Sequence, residues 1–499
     1  MNLYWGDIHN HNAVGYAKGS LERSIDIAQN SMDFYAFTGH AQWHDIQKFE
    51  SNVHMHWING FKVHTAHWDK TVELLNKAYK PGEFTTFIGY EWHSSRFGDY
   101  CLYFPTEKAD LRSFSNIEQL REYVSRVHGM MIPHHMGYKQ GNRGFNMSVF
   151  KENYSPLIEI FSEHGACEAD EGLYEMISHS NGPRCSQNTA QAFLAAGHRA
   201  GFTASTDDHL GYPGAYGEGL TGVYAEGCTR EDIWKAFQER RTYAVTGDRI
   251  RIEFSVNDTP MGGEADYNDE REIRFKVEGW DELSKIELIR NNSVIKTYCP
   301  DQKCGNNSRY RTRLAFGWGP WNDLEIPRIC DWKISLSTST AICNGGFGAF
   351  LCGPFDEERR NKIIWTPDGF SVTSYTSRKN AFRDMAMNAV AFEIQTDSPD
   401  NVWFNLQLKL PVCLDRKLCM RELMENSFVD FVGGFPKEAF KIYRLIPENR
   451  FLFDGQFIDR FTVTNQDSFY YLRVTQKNGQ MAWSSPIWIN KLHEEEVNA

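Results

Sequence analysis

Long apolar runs are missing from this sequence. No stretch reaches the roughly 18 consecutive apolar residues that a membrane-spanning helix needs. The chain also does not open with a basic segment followed by an apolar one, which is the pattern that directs secretion. We therefore expect a cytoplasmic protein that has no membrane partner.

Basic residues and paired cysteines are also scarce. The chain has 53 Lys and Arg against 65 Asp and Glu, which gives a net charge of -12. Non-specific affinity for nucleic acid comes from an excess of Lys and Arg, so we expect no nucleic-acid partner. The 11 cysteines are odd in number and contain no CxxC motif. This pattern is typical of reduced thiols and not of a disulfide framework.

The remaining composition, 41% hydrophobic and 24% charged over 499 residues, is typical of a globular protein with more than one domain. In residues 1–247, short apolar runs alternate with helical patterns, and Ser20 and Thr229 are candidate helix N-caps. The alternation predicts an α/β domain built on parallel strands. Strands are expected at 34–38, 85–89, 130–133, 157–161, 201–205 and 220–225.

The pattern changes after Asp248. Residues 248–499 show apolar/polar alternation and turn pairs such as Asn478-Gly479, which predict a mainly antiparallel, sandwich-like β region. Residues from about 300 to 375 are rich in Gly, Cys, Asn and Trp without a period, and we expect an irregular insertion there. This second half could bind carbohydrate, cap an active site or mediate assembly into a homo-oligomer. Capping or assembly is the favoured interpretation.

Histidines and carboxylates recur where the predicted strands end. His9 and His11 form an H-x-H motif, so both side chains point to one face of an extended segment. Barrel enzymes build their active sites at the carboxyl ends of the strands, so we expect these side chains to converge. The residues so placed are His9, His11, His40, Glu91, His93, His134, His135, Asp207 and His209, with Glu159 inside a predicted strand and His164 just after it.

Each motif also has a structural interpretation. A single H-x-H is more often a coincidence than a pair of ligands, and a single D-x-H or E-x-H is a weaker signal still. We expect His54, His56, His64 and His67 to be surface or packing residues. The joint arrangement of the strand-end residues favours a metal site. Mixed His and carboxylate donors suit Zn²⁺, Mn²⁺ or Fe²⁺ and not Ca²⁺.

Five motifs occur in an order that resembles the polymerase-and-histidinol-phosphatase (PHP) family of metal-dependent phosphoesterases. They are "GDIHNH", "DFYAFTGH", "GYEWHS", "IPHH" and "STDDH". The resemblance covers the first half of the chain. The closing "YYLRVTQKNGQMAWSSPIWI" is similar to the C-terminal signature of a large bacterial branch of that family.

The resemblance implies a fold and a ligand set. The first half would be a distorted (β/α)7 TIM-like barrel holding two or three divalent metal ions. Carried over by motif, His9, His11, Glu91 and Asp207 would bind one ion. Glu91 would bridge to a second ion that His134 also holds. His40 and His209 would hold a third.

Two departures from the family pattern concern the third ion. Gly39 stands where many relatives have Asp, so one outer carboxylate is missing. Where some relatives place a further ligand after the H-x-H, this chain reads "AVGYAKGS" and offers only Tyr16 and Lys18. Lys18 would contact the substrate anion or, after carboxylation, become a ligand. His93 is our expected additional ligand, with Asp99 and His128 behind it.

The predicted reaction is hydrolysis of a phosphoester in a small molecule. Adjacent divalent ions would supply a hydroxide nucleophile and neutralise charge on the phosphoryl group. We expect His209, His164 or a metal-bound water to help the leaving group depart. Asp7 and Asp208 are placed to orient ligands, with a solvated loop role as the alternative. Ordinary surface charge is the alternative for each candidate phosphate-binding residue, namely Lys18, Arg96, Arg143 and Arg184.

Two other functions stay open from the sequence. Amidohydrolases, which cleave C–N or C–O bonds, share the H-x-H opening but usually carry a metal-bridging carboxylated lysine. No strand-end lysine is evident here, and Glu91 occupies the bridging role. The other function is a non-catalytic, metal-stabilised scaffold whose β region binds a partner. Retention of the seven core ligand positions weighs against such a scaffold.

Overall fold

The computed structural model describes residues 1–46, 52–176, 182–300, 308–319, 327–377, 387–433, 438–462 and 467–491. The first half of the chain mixes strands with helices. In chain order its elements are β1 (Asn2–Asp7), α1 (Leu21–Ser31), β2 (Phe34–Phe37), β3 (His40–Trp43), α2 (Asn52–Ala66), α3 (Trp68–Ala78), β4 (Thr85–His93), β5 (Tyr100–Phe104), α4 (Ile117–Arg126), β6 (Met130–Pro133), β7 (Leu157–Ser162), β8 (Gly165–Ala166), α5 (Ala190–Ala195), β9 (Gly201–Ala204), β10 (Leu220–Ala225), α6 (Arg230–Gln238) and β11 (Thr242–Val245).

The predicted helix starts at Ser20 and Thr229 are confirmed. The Ser20 side chain accepts a hydrogen bond from the backbone N–H of Arg23, and α1 buries Leu21, Ile25 and Ala28. The Thr229 side chain caps α6 in the same way. Each hydroxyl satisfies a backbone donor that has no partner inside its helix, which fixes where the helix begins.

All six predicted strands of the first half are present, but they do not form the expected closed parallel barrel. β1, β2 and β4 pair in parallel, whereas β5 and β10 run antiparallel to their neighbours. Among the described residues the strand ladders do not close into a ring. Six residues, 94–99, join β4 to β5, too few for the crossover that a parallel neighbour needs. The first half is therefore a mixed α/β structure.

β7 and β9 pair in parallel and form a separate three-stranded sheet with β8. This small sheet lies beside β10 and β11, because Thr242 Oγ1 donates a hydrogen bond to the Phe202 carbonyl and the Ala204 N–H donates one to Thr221 Oγ1. Its buried side chains share one core with those of β5 and β6. The strands that carry the histidines and carboxylates are thereby packed around a common interior.

The second half is almost entirely strand. Its elements are β12 (Arg251–Val256), β13 (Thr259–Pro260), β14 (Glu264–Ala265), β15 (Glu270–Glu278), β16 (Leu283–Arg290), β17 (Ser293–Tyr298), β18 (Arg309–Gly317), β19 (Ile329–Thr338), β20 (Ile342–Ala349), β21 (Lys362–Thr366), β22 (Gly369–Ser377), β23 (Met387–Gln395), β24 (Trp403–Leu410), β25 (Leu414–Cys419), α7 (Met420–Glu425), β26 (Phe428–Val432), β27 (Glu438–Ile442), β28 (Ile446–Pro447), α8 (Glu448–Phe451), β29 (Leu452–Arg460), β30 (Ser468–Gln476), β31 (Met481–Ser484) and β32 (Ile487–Ile489).

Two antiparallel sheets of the second half pack around one core, as the alternating sequence predicts. The order is β20-β23-β18-β27-β26 in one sheet and β21-β22-β19-β24-β25 in the other. Phe316 and Phe392 of the first sheet share a core cluster with Trp332 and Leu336 of the second. This arrangement overturns the expected irregular insertion at about 300–375. In the described part of that segment, β19 alternates buried and more exposed residues along its length.

The sheet of the first half continues across the predicted boundary between residues 247 and 248. β31, near the end of the chain, pairs with β11, and Trp483 lies opposite Ala244. Buried Glu168 accepts hydrogen bonds from Trp483 Nε1 and from the Tyr471 hydroxyl, both at 2.7 Å. None of the described helices is both long and apolar enough to cross a membrane.

Candidate metal centre

The loops that follow β1 and β9 lie side by side and bring the first ligand candidates together. The His11 N–H donates a hydrogen bond to the Asp208 carbonyl, and the Asp207 N–H donates one to the His9 carbonyl. Asp207 has a φ of 55°, a left-handed conformation that is uncommon outside glycine. The two motifs "HNH" and "DDH" are thus held at one place, although about 200 residues separate them in the chain.

The Asp207 carboxylate lies among three imidazoles. Its Oδ1 is 2.8 Å from His11 Nε2 and 3.2 Å from His9 Nε2. Its Oδ2 is 2.9 Å from His164 Nε2. His9, His11 and Asp207 are each at most 2% exposed, so this group of donors is enclosed by protein.

The Glu91 carboxylate is shared between two sides of the cluster. Its Oε1 lies 2.6 Å from His134 Nε2, and its Oε2 lies 2.6 Å from His40 Nδ1. Oε2 is also 3.7 Å from His11 Nε2. Strand pairing places His40 directly opposite Glu91, since β3 and β4 are parallel neighbours. Each oxygen of one carboxylate therefore faces a different imidazole.

Two further histidines, His93 and His209, lie beside His40. His40 Nδ1 is 2.9 Å from His93 Nε2, and His40 Nε2 is 3.1 Å from His209 Nε2. The His11 ring stacks on the His40 ring with centroids 3.9 Å apart. His64, expected as a surface or packing residue, is fully buried, and its Nδ1 donates to the His40 carbonyl. His64 therefore supports the backbone of His40 from behind.

Gly39 fits the space available beside His40. A Cβ atom at position 39 would lie 2.5 Å from Phe37 Cζ and 3.0 Å from His64 Cε1. An aspartate there would force both rings to move. The glycine at position 39 thus leaves room for the aromatic packing of Phe37 and His64.

Outer partners orient most of the clustered imidazoles. Each of five histidines has its Nδ1 near a carboxylate, a thiol or a hydroxyl. For His9 and His209 the neighbours of Nδ1 are acceptors, which leaves Nε2 for the interior. The pairs are His9 with Glu159 (3.0 Å), His93 with Asp99 (3.2 Å), His134 with Cys101 (3.7 Å), His164 with Tyr138 (3.0 Å) and His209 with Glu163 (3.3 Å). Asp7 and Asp208, expected to orient ligands, instead accept hydrogen bonds from backbone N–H groups of the loops.

The two central carboxylates are held in their charged form. Burial by itself would raise the pKa of Glu91, but its histidine neighbours, His93 first, outweigh burial and leave the pKa well below its usual range. Burial acts on the Asp207 carboxyl in the same way, and His9 and other histidines again leave the pKa well below its ordinary value. Both groups are therefore ready to bind a cation.

Two of the interior imidazoles are held neutral. Burial, followed by the neighbouring His209, lowers the pKa of His11 to about 3. Burial, followed by His11, lowers the pKa of His40 well below its ordinary value. Neutral imidazole and charged carboxylate are the forms that bind metal ions. His209 lies on the partly exposed side of the cluster. Burial acts to lower the pKa of His209, but the Glu163 carboxylate outweighs burial and raises that pKa to about 9.

The donor set fits divalent metal ions. The buried atoms His9 Nε2, His11 Nδ1 and Glu91 Oε2 make no hydrogen bond, although buried polar atoms normally do. Imidazole and carboxylate donors at this spacing suit Zn²⁺, Mn²⁺ or Fe²⁺. Several sets have ligand atoms within 4.8 Å of one another, among them His9, His11 and Asp207; His11, His40 and His209; and His40, Glu91 and His93.

Of the four expected phosphate-binding residues, Arg143 is the one whose side chain is shown in contact with the cluster. Its Nε donates to Asp99 Oδ2 at 2.7 Å, and its Nη2 lies 3.0 Å from His93 Nδ1. Its charge is thus paired with a buried carboxylate, which favours a positioning role. Arg184 instead donates to the backbone carbonyls of Ala166, Tyr174 and Asp170, away from the cluster.

The Lys18 and Arg96 side chains are exposed. Each of these residues is fixed by a hydrogen bond that its backbone N–H donates. The Lys18 N–H donates to the His209 carbonyl, and the Arg96 N–H donates to Asp45 Oδ2. His128 is exposed as well, so it does not lie behind His93 as expected.

Three contributors were not expected from the sequence. Cys101 lies directly opposite Glu91 in the antiparallel pairing of β4 with β5, a strand that was not predicted. Tyr138 supports His164, and Glu163 supports His209. Glu163 immediately precedes His164 in the chain, so its adjacency was a usable signal. No sequence signal pointed to Cys101, because its position depends on a strand pairing.

Comparison with known proteins gives limited similarities. Residues 18–100 and 203–270 match a family described as a protein of unknown function (DUF3604). An uncharacterised protein of Chlamydia trachomatis is 26% identical over 332 residues, covering 62% of this chain and 50% of that protein. One from Chlamydia pneumoniae is 29% identical over 217 residues, covering 40% of this chain and 34% of that protein. The chain thus spans half or less of the length of these relatives.

One solved structure is similar over most of the chain. It is a crystal structure of a two-domain protein from Bacteroides vulgatus that contains a predicted PHP-like metal-dependent phosphoesterase. The match covers 84% of this chain and 95% of that chain at 11% identity, with a TM-score of 0.34. At that TM-score the similarity carries no conclusion about this chain.

Proposed function

We propose that this protein is a cytoplasmic metal-dependent hydrolase that cleaves a phosphoester of a small molecule. The observation that carries the proposal is the position of Glu91, whose two carboxylate oxygens each lie 2.6 Å from a different imidazole. A buried carboxylate placed between two sets of nitrogen donors is suited to bridge two metal ions. We propose two or three ions, of Zn, Mn or Fe.

The chain's own residues divide into three donor groups. His9, His11 and Asp207 would hold one ion together with Glu91. His134 would hold a second on the other Glu91 oxygen. His40, His93 and His209 would hold the third. When bound, such ions supply charge neutralisation and activation of water for attack on phosphorus.

Other residues orient the donors and handle protons. Glu159 accepts a hydrogen bond from the outer nitrogen of His9 and so fixes its tautomer, and Asp99 Oδ2 lies 3.2 Å from His93 Nδ1. The side chain of His209 is 34% exposed, while that of His164 is only 8% exposed. His209 is therefore the imidazole that an incoming substrate meets first. We propose that it carries a proton to the leaving oxygen or completes the third donor group.

The amidohydrolase alternative is less well supported. It would need a lysine inside the cluster to be carboxylated, and no lysine is buried within the described ranges of the chain. Glu91 occupies the central position instead. A non-catalytic scaffold would not need an open side, yet His209 and Glu163 keep about a third of their side-chain surface accessible.

The test begins with metal content per chain, measured by mass spectrometry on protein purified without chelator. Wild type is compared with a His9→Ala/Asp207→Ala double variant. The matched control is His67→Ala/Asp69→Ala, which removes an exposed imidazole and an exposed carboxylate from α3 and its N-cap. We expect two or three equivalents in wild type and in the control, and a large loss in the cluster variant.

Turnover is then measured on phosphomonoesters, phosphodiesters and a matched set of anilides and esters. Hydrolysis of phosphoesters by the wild type and the control, but not by the cluster variant, would support the proposal. Fewer than one metal equivalent after reconstitution would exclude a multinuclear centre. Turnover of anilides without turnover of phosphoesters would favour the amidohydrolase alternative.

A further inference from the structure

Tyr16 lies on the outside of a stack of three aromatic rings. The His11 and His40 rings stack with centroids 3.9 Å apart and planes 3° apart. The Tyr16 ring stacks on His40 with a centroid distance of 3.8 Å and an interplanar angle of 6°. Tyr16 also lies 6.0 Å from the His209 ring. Its phenol therefore lies directly against the metal-binding histidines without being one of them.

The hydroxyl of Tyr16 forms no hydrogen bond within the described residues. Two other tyrosines near the centre use their hydroxyls within the protein: Tyr35 donates to Asn10 Oδ1 and Tyr103 donates to the Ile8 carbonyl. Across the described part of the chain, the Tyr16 hydroxyl has no hydrogen-bond partner, and it is not fully enclosed. A phenol O–H packed against a polar cluster normally finds a partner. The described residues leave this O–H available to a bound ligand.

Tyr16 is also at the open side of the centre. The Tyr16 side chain is partly exposed, as are His209 and Glu163, while Glu91 and His40 are at most 3% exposed. The packing of α2 makes room for this placement, because a Cβ atom at Gly60 would lie 2.8 Å from Tyr16 Cβ. The phenol oxygen also lies within electrostatic reach of Arg143, Glu91 and Asp207. The hydroxyl is therefore on the partly exposed side of the cluster, near the donors.

We propose that Tyr16 is a substrate-contacting residue whose hydroxyl donates a hydrogen bond to an anionic oxygen of the bound substrate. The proposal rests on the proposed phosphoesterase function. It assigns the recognition role to Tyr16 and not to Lys18, the other candidate in the same segment, whose side chain is exposed. A phenol suits the role because it donates one directed hydrogen bond to a charged acceptor while its ring holds position on His40.

The test uses the metal-loaded full-length protein and inorganic phosphate as the probe. Tyr16→Phe keeps the ring that stacks on His40 and removes only the hydroxyl. Tyr4→Phe is the matched control, because Tyr4 is a partly exposed tyrosine of β1 whose hydroxyl, among the described residues, is hydrogen-bonded only by Asn2. The dissociation constant for phosphate is measured by titration calorimetry, and metal content per chain is measured on the same samples.

A lost hydrogen bond to a charged acceptor is expected to weaken phosphate binding by about ten- to a hundred-fold. We expect this loss in Tyr16→Phe with unchanged metal content, and no change in Tyr4→Phe. Phosphate binding within two-fold of wild type in Tyr16→Phe would overturn the proposal. Loss of a metal equivalent in that variant would also overturn it, because Tyr16 would then be a ligand. If metal-loaded wild type itself binds no phosphate, the proposed phosphoesterase function fails along with this inference.

Discussion

Asn361 donates a 2.6 Å hydrogen bond to the hydroxyl of Tyr212, three residues beyond His209. The same loop is held at two further points, since the Tyr216 N–H donates to the Phe350 carbonyl and Cys352 Sγ lies 3.2 Å from Glu218. Residues of the second half therefore hold in place the loop that carries Asp207 and His209, two of the metal-binding candidates.

Because Asn361 holds this loop, we predict that its removal makes the loop more mobile without unfolding the protein. Asn361→Ala removes this hydrogen bond and the one that Asn361 Oδ1 accepts from Ser374 Oγ, and each loss costs about 1 kcal/mol locally. We expect faster amide hydrogen exchange in residues 207–219 and weaker retention of metal during dialysis. Asn344→Ala is the control, because Asn344 bonds Glu393 and Gln395 within the second half. Equal exchange rates in the two variants would mean that the contact does not hold the loop.

Glu159 is predicted to tune metal affinity through His9. Its carboxylate lies 3.0 Å from His9 Nδ1, so Glu159→Gln weakens the acceptor that holds this imidazole in its tautomer. Loss of such an outer partner typically costs about 10- to 100-fold in metal affinity. We expect that loss in a chelator competition assay, with the full number of ions still bound at saturating metal. Glu226→Gln, at an exposed carboxylate, should keep wild-type affinity. Unchanged affinity in Glu159→Gln would mean that His9 is oriented by other contacts.

His209 and His164 face different groups, and His209 is predicted to act either as a metal ligand or as a proton carrier. His209 Nε2 lies 3.1 Å from His40 Nε2, whereas His164 Nε2 faces Asp207 Oδ2. If His209 is a ligand, His209→Ala should lose one metal equivalent as well as turnover. If it only moves a proton, metal content should stay constant while the turnover of substrates with poor leaving groups falls about 100- to 10,000-fold. Unchanged turnover in His209→Ala would exclude both roles.

Metal removal is predicted to lower thermal stability. Without cations, the buried Glu91 and Asp207 carboxylates face neighbouring histidines, and each ion that binds the folded state stabilises it by mass action. One site filled at 100 times its dissociation constant contributes about 2.7 kcal/mol. We expect the melting temperature to fall on dialysis against chelator and to recover when Zn²⁺ or Mn²⁺ is returned. The His9→Ala/Asp207→Ala variant should show a much smaller recovery, and a recovery equal to wild type would place the stabilising ion elsewhere.

The sequence by itself determined the strands and the positions of the main donors. Short apolar runs set β2, β4, β6, β7, β9 and β10, because such segments gain most by burial. A hydroxyl before each helical pattern set the starts of α1 and α6. Histidines and carboxylates at strand ends pointed to one site, since parallel strands deliver their carboxyl ends to a common edge.

Only the tertiary structure decided which residues surround those donors. Cys101 reaches His134 because β5 turns back antiparallel on β4, and Arg184 is drawn to the carbonyls of its own loop. The hydrogen bond from Asn361 to Tyr212 joins residues about 150 positions apart. The physical reason is the distance along the chain between the residues that interact. A strand or a cap is decided by neighbours a few residues away, whereas these contacts follow from pairings and packing between distant segments, which no local pattern encodes.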